Sequence, residues 1–277
     1  MSQPRLVATD LDGTALRSDG TVSERTAAAF ALVEAAGSAL VFVTGRPPRW
    51  MSEVAAAVHH RGLAICANGA LIYDLHTERI VESHLIETVI LEEVVARLRR
   101  SVPELAFSVE YEGGFAHESS FRLGRWDASG LDGVHVEAAG LLSRPCAKLL
   151  ALHPEMDPDL LHGTICELVG DLVTPTHSSG RALIEMSALG VTKASALAGF
   201  ASRNRIKSHE VVAFGDMPND LPMLEWAGVS YAVANAHPDV LAAVHHVTAA
   251  NNDDGVAQVL EELYSGERGA PGLSSGL

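Results

Sequence analysis

Asp10 and Asp12 sit two residues apart where a short apolar run gives way to the turn-rich Asp10-Leu11-Asp12-Gly13-Thr14. On an extended chain, side chains at i and i+2 point the same way. Two carboxylates on one side repel unless a cation lies between them or one carries a proton. Mg²⁺ answers that demand, because it takes oxygen ligands in octahedral geometry and keeps several waters. Asp216 and Asp220 lie four apart across the start of a helical segment and offer further oxygens. Gly13 lets the backbone approach a substrate closely, with N–H groups turned toward phosphate oxygens. Either acidic segment alone has an ordinary competing role. Asp and Gly are common turn residues, and Pro218 with nearby acids suits a helix start. Both segments following buried strands is what favours a shared site.

The elements that position these residues follow from apolar runs and their punctuation. Leu6–Ala8, Ala39–Val43 and Leu63–Cys66 read as short buried strands. A helix capped by Ser23 runs to Ala36 between the first two, and a helix opened by Pro47-Pro48 and closed near Gly62 lies between the second and third. This grammar predicts a parallel sheet with right-handed crossovers. After about His84 the pattern changes. Glu87–Arg100 is an amphipathic helix, and Leu105–Tyr111 alternates ahead of a Gly113-Gly114 turn. Cys146–Leu152 and Arg181–Met186 read as strands around a helix at Glu155–Val169. Parallel grammar returns with a helix at Thr192–Ser202, strands at Val211–Phe214 and Val229–Val233, and helices at Pro218–Ala227 and Gly255–Leu263. The fold class expected is α/β, a Rossmann-like parallel sheet core with an inserted α+β cap. Residues 1–83 and 186–265 form the core, 84–185 the insert, and the Gly/Ser-rich 266–277 a disordered tail. Open α/β sheets bind ligands beyond the carboxyl ends of their strands. Asp10, Thr44, Asn68 and Asp216 all follow strands there and are expected to converge. A shared ion requires Asp10 and Asp216 within roughly 10 Å of each other, given the short bonds of such metals.

At these motifs the sequence resembles the haloacid dehalogenase-like phosphatases. Asp10-Leu11-Asp12-Gly13-Thr14, Val43-Thr44-Gly45-Arg46, Lys193 and Gly215-Asp216-x-x-Asn219-Asp220 match that family's four motifs in order. Cys66-Ala67-Asn68-Gly69-Ala70, Gly190-Val191-Thr192-Lys193 and Asn251-Asn252-Asp253-Asp254-Gly255-Val256 are similar to the Cof-type branch, whose cap lies between motifs two and three. The resemblance spans about residues 5–264 and is weakest in the insert. It implies that Asp10 attacks phosphorus to form an aspartyl phosphate, and that Asp12 serves as acid and then base. It implies Mg²⁺ held by the Asp10 carboxylate, the Asp12 backbone carbonyl and Asp216, with Asp220 orienting the metal shell. Thr44, Gly45, Lys193 and Asn219 would hold the phosphoryl group. Arg46, Asn68 and Lys148 are candidates for touching the rest of the substrate, as are Ser178, Ser179 and Arg181 more weakly. For Arg46 a surface role competes equally, and for Lys148 a solvated surface lysine is the commoner role.

The bulk properties narrow the partners. The 277 residues carry a formal charge of −15, which disfavours nucleic acid and anionic membrane surfaces. No apolar stretch of about 18 residues appears, and the first residues lack an export signal's pattern. Cys66, Cys146 and Cys166 are widely spaced and odd in number, which points to free thiols and a cytoplasmic location. His59-His60 and His245-His246 lack a third ligand at metal spacing and read as surface residues. The expected function is hydrolysis of a small phosphorylated metabolite, a sugar phosphate or similar. A sugar phosphomutase of the same fold and a non-catalytic phosphoacceptor module are the alternatives. The insert's sequence identifies no substrate, and oligomeric state is not readable.

Overall fold

The computed structural model of the chain describes residues 3–122, 134–135, 138–177 and 182–265. The chain opens with β1 (Leu6–Thr9), all four residues buried. A tight turn over Leu11–Ala15 follows, with Gly13 at φ +78°. Ser23 caps α1 (Glu24–Ala35), its hydroxyl accepting from the Thr26 N–H at 3.0 Å. Next come β2 (Ala39–Val43), α2 (Ser52–Ala57), β3 (Leu63–Cys66), β4 (Leu71–Asp74) and β5 (Arg79–Ser83). The insert carries α3 (Thr88–Ser101), β6 (Ala106–Tyr111), β7 (Gly114–His117), β8 (Val134–His135), α4 (Ala138–Leu141), β9 (Lys148–Leu152), α5 (Pro158–Val169), β10 (Val173–Thr176) and β11 (Leu183–Ala188). The chain then returns through α6 (Lys193–Arg203), β12 (Val211–Gly215), α7 (Leu221–Trp226), β13 (Val229–Val233), α8 (Pro238–Ala243), β14 (His246–Thr248) and α9 (Gly255–Ser265).

These strands form two sheets, one of eight strands in the order β14-β13-β12-β1-β2-β3-β4-β5 and one of six in the order β10-β11-β9-β6-β7-β8. In the first, β14 through β3 run parallel, and β1 lies between β12 and β2. Its central strands are near-continuous apolar runs because helices cover both faces. The second sheet is antiparallel apart from β7–β8. Each sheet has its own apolar core. In the second, Phe107, Val109, Leu149, Ala151, Ile184 and Met186 pack with Leu91, Val94, Leu98, Leu161 and Ile165 of α3 and α5. The mostly parallel central sheet with a separate antiparallel cap sheet is the α/β architecture expected.

Several details differ from the sequence expectation. The first sheet is extended by the antiparallel hairpin β4–β5; β4 is only four residues long, with Leu71 and Ile72 buried, and β5 is a part-exposed edge strand, so neither carries much periodic signal. β11 stays in the second sheet to Ala188, so the return to the core falls after that strand rather than at 185/186. The helix expected from Pro48 to Gly62 is a 3₁₀ turn at Pro48–Trp50 followed by a short α2. Likewise a 3₁₀ turn at Pro218–Asp220 precedes α7. Residues 266–277, Ser178, Ser179 and Arg181 lie outside the described residues.

Candidate active site

The parallel strands deliver their carboxyl ends to one place. Asp10 follows β1, Thr44 follows β2, Asn68 follows β3 and Asp216 follows β12. β1 and β12 are neighbours in register, and the Asp10 N–H donates to the Phe214 carbonyl at 3.0 Å. Carboxylate oxygens of Asp10, Asp216 and Asp220 lie within 4.8 Å of one another, and all three residues are buried. This is far inside the separation that a shared ion requires. Lys193 opens α6, whose Thr192 N-cap and Ser195 form a capping box. The Lys193 ammonium, 2% exposed, donates to Asp10 Oδ1 at 2.5 Å and Asp220 Oδ1 at 2.7 Å.

Each acid is held differently. Asp216 Oδ1 accepts from the Thr14 hydroxyl at 2.9 Å. Asp220 Oδ2 accepts from the backbone N–H groups of Asp216 and Met217 at 3.0 and 3.1 Å. Asp220 thus has both oxygens engaged, and its bonds to the Asp216 and Met217 N–H groups hold the loop carrying Asp216. Asp10 Oδ1 accepts from Lys193, whereas Oδ2 has no hydrogen-bond partner among the described residues. Gly13 is required beside them. At φ +78° a side chain is strained, and a Cβ there would stand 2.3 Å from Asp216 Oδ2.

Electrostatics follow from burial and crowding. Burial raises the Asp10 pKa well above 3.8; Lys193 opposes this, while the Asp220 and Asp216 charges add to it. Burial and then the Asp220 charge push Asp216 up to about 7, against the Thr14 hydrogen bond. Burial works against the Lys193 charge, but Asp10 and Asp220 outweigh it and hold the ammonium above its ordinary range. Three buried carboxylates facing one ammonium leave negative charge uncompensated. The donor set is all oxygen, which suits a hard divalent cation such as Mg²⁺. The residues therefore fit the ion that the sequence implied.

Asp12 departs from the expected pairing with Asp10. β1 ends at Thr9, and the turn through Gly13 breaks strand alternation. The Asp12 carboxylate lies outside the buried trio, 58% exposed, and accepts from Arg46 Nε and Nη2 at 2.7 and 2.6 Å. Arg46 thus engages an expected catalytic acid rather than standing in solvent. Thr44 is fully buried, its hydroxyl accepting from the Arg46 N–H at 3.0 Å. Asn219 Nδ2 donates to Asn68 Oδ1 at 3.2 Å.

Lys148 is not the surface lysine that its sequence context favoured. It is 4% exposed, forms a buried ion pair with Glu185 and donates to the Gly45 carbonyl at 2.8 Å. Alternation along β9 would have placed it opposite Leu149, but the core side of that strand was not legible. Sequence reasoning also missed Glu185, Glu110 and Asn235. Glu110 of β6 pairs with Arg49 across the two sheets' boundary. Asn235 Nδ2 donates to the Gly13 carbonyl at 2.8 Å and its Oδ1 accepts from the Asn251 N–H at 2.9 Å, bracing the turn that follows β1. An Asn following β13, the next strand beyond β12, was the available signal. His59, His60, His245 and His246 are exposed, as expected, and the three cysteines are free.

The haloacid dehalogenase-like hydrolase family model matches residues 7–260. The chain belongs to this family. It is 26% identical over 275 residues to a 5-amino-6-(5-phospho-D-ribitylamino)uracil phosphatase of Bacillus subtilis, covering 95% of this chain and 99% of that one. It is 27% identical over 268 residues to a pyridoxal phosphate phosphatase of Escherichia coli, with 92% and 97% covered. A crystal structure from Streptococcus mutans superposes with a TM-score of 0.84 at 22% identity, covering 95% and 99% of the two chains, and shares the fold. As in the Cof-type branch of this hydrolase family, the cap lies between motifs two and three. No helix among the described residues is long and apolar enough to cross a membrane.

Proposed function

We propose that this hydrolase is a Mg²⁺-dependent phosphatase of a small phosphorylated metabolite, a sugar phosphate or similar, acting through an aspartyl phosphate on Asp10. The observation that carries the reading is the buried trio of Asp10, Asp216 and Asp220 with Lys193 on one oxygen of Asp10 and the other oxygen unengaged. Asp10 Oδ2 attacks phosphorus as the bond to the leaving oxygen breaks, and Asp12 protonates that oxygen. Water then attacks the phosphorus of the aspartyl phosphate, giving its proton to Asp12. Inorganic phosphate leaves and the Asp10 carboxylate is restored. Thr44, Gly45 and Lys193 hold the phosphoryl oxygens where charge gathers in the transition state, and Asn219 is a polar contact in the same pocket. Asp10, Asp216 and the Asp12 carbonyl would hold Mg²⁺, which when bound neutralises phosphoryl charge and offsets the crowding of acids. The Asp12–Arg46 pair keeps the acid at the mouth of the site, where it can turn to a leaving group.

The relatives' names support a phosphomonoester substrate with a polar leaving group. Free thiols and a formal charge of −15 fit a reducing cytoplasm without nucleic-acid or membrane partners. A phosphate-release screen over sugar phosphates, nucleotides, pyridoxal phosphate and flavin mononucleotide, with and without Mg²⁺, tests the proposal. Mg²⁺-dependent release that Asp10→Asn abolishes is expected. Phosphoryl return to a second position of a sugar without free phosphate would mean a mutase, and phosphorylation without turnover a phosphoacceptor.

A further inference from the structure

The cap reaches the catalytic centre through an ordered chain of side chains. On β9 and β11, Leu149, Ala151, Ile184 and Met186 face the cap helices. Alternation therefore turns Lys148 and Glu185 to the opposite face, toward the core. Lys148 pairs with Glu185 Oε1 and also donates to the Gly45 carbonyl. Glu185 Oε2 accepts from Asn68 Nδ2 at 2.8 Å, and the Thr176 hydroxyl of β10 lies 3.4 Å from the same nitrogen. Asn68 is 1% exposed and sits at φ +57°, held there by the turn after β3. With its amide nitrogen drawn to the cap, its Oδ1 must face the core, where Asn219 Nδ2 donates to it at 3.2 Å. The Asn219 carbonyl oxygen is then left buried with no hydrogen-bond partner, in a residue only 9% exposed.

An unpaired buried acceptor costs about 1–3 kcal/mol, so such an oxygen awaits a donor. The polarity of the chain has one source. A carboxylate only accepts, whereas an asparagine amide can present either end. We propose that Glu185 is a positioning residue: through Asn68 it fixes the Asn219 amide so that its carbonyl oxygen accepts from a substrate hydroxyl or a water in the catalytic centre. Cap closure then does more than shut out water. It sets the hydrogen-bond direction of a residue of the fourth motif, and an open cap leaves the Asn68 and Asn219 amides free to turn. This rests on the phosphatase reading above and names how the cap takes part in it.

A double-mutant cycle on p-nitrophenyl phosphate hydrolysis with Mg²⁺ tests the proposal. Glu185→Ala is expected to lower kcat about tenfold, as losing an orienting partner typically does, with KM nearly unchanged. Glu185→Gln keeps an amide oxygen for Asn68 and should recover most of that loss, which a purely structural role for the negative charge would not allow. In an Asn219→Ala background, Glu185→Ala should cost nothing further. Asn68→Gly tolerates the left-handed backbone and cuts the chain in its middle, so it gives the same cycle with Asn219→Ala should Glu185→Ala fail to fold. Multiplicative losses in the double variants would overturn the proposal. So would a raised KM at constant kcat in Glu185→Ala, which would mean that Glu185 contacts the leaving group itself. A wild-type enzyme that releases no phosphate would remove the phosphatase reading and the proposal together, whereas hydrolysis with multiplicative losses removes the proposal alone.

Discussion

Asp216→Asn should stabilise the protein when no divalent cation is present. The Asp216 carboxyl has a pKa of about 7 in the folded chain against an ordinary value of 3.8. Its folded pKa is raised, so the folded state binds the extra proton, and stability falls as pH climbs from the unfolded value to the folded one. The full difference corresponds to about 4 kcal/mol, present as a penalty above pH 7 and absent below pH 4. Asparagine has nearly the same shape and can still accept from Thr14, so it removes most of the penalty; a gain of roughly 2–4 kcal/mol follows. For a chain of this size that raises the melting temperature by about 5–10 °C. Fluorimetric melting in EDTA at pH 7.5 and at pH 4 measures it. The variant should melt well above the wild type at pH 7.5, and the two should approach each other at pH 4. Saturating Mg²⁺ should raise the wild type and leave Asp216→Asn nearly unmoved. A variant that melts no higher than the wild type at pH 7.5 without metal would refute the crowding of acids on which the metal site rests.

Other perturbations separate the parts of the site. Asp10→Asn should abolish phosphate release while retaining the fold by circular dichroism. Lys193→Met leaves Asp10 and Asp220 buried without their cation; urea unfolding should show a loss of about 3–5 kcal/mol at pH 7.5, shrinking as pH falls and Asp10, whose pKa burial already raises, takes up a proton. Arg46→Ala breaks a half-exposed ion pair and should cost less than about 1 kcal/mol of stability, yet lower kcat/KM for phosphate release about tenfold or more because Asp12 loses its orienting partner. Gly13→Ala places a methyl against Asp216 in a left-handed turn and should weaken Mg²⁺ binding by calorimetry at least tenfold.

The core was legible because its signals are local and repeated. The apolar runs at Leu6, Ala39, Leu63 and Val211 end in turn residues, and a parallel sheet must bring those ends together. That placed Asp10, Thr44, Asn68 and Asp216 side by side before any distance was known. The orientation of Asp12 was misjudged because strand alternation was carried one step past the end of β1. The cap contributions were illegible for a different reason. Lys148 and Glu185 are separated by an entire helix and two strand edges, and a charged residue on a sheet face reads as solvated until the facing domain is known. Only the register between β9 and β11, which no local pattern specifies, shows that both face the core. The β4–β5 hairpin escaped because β4 is a four-residue run directly after a turn and β5 is a part-exposed edge strand, too short and too mixed to show an apolar period.

The central claim is that Asp10 carries the phosphoryl group. Acid-quenching the enzyme during turnover of p-nitrophenyl phosphate with Mg²⁺, then reducing with borohydride and sequencing peptides by mass spectrometry, measures it directly. Reduction of an acyl phosphate at position 10 to homoserine is the result expected, absent without Mg²⁺ and in Asp10→Asn. A turning-over enzyme with an unmodified Asp10, or with the modification at another residue, would contradict the account.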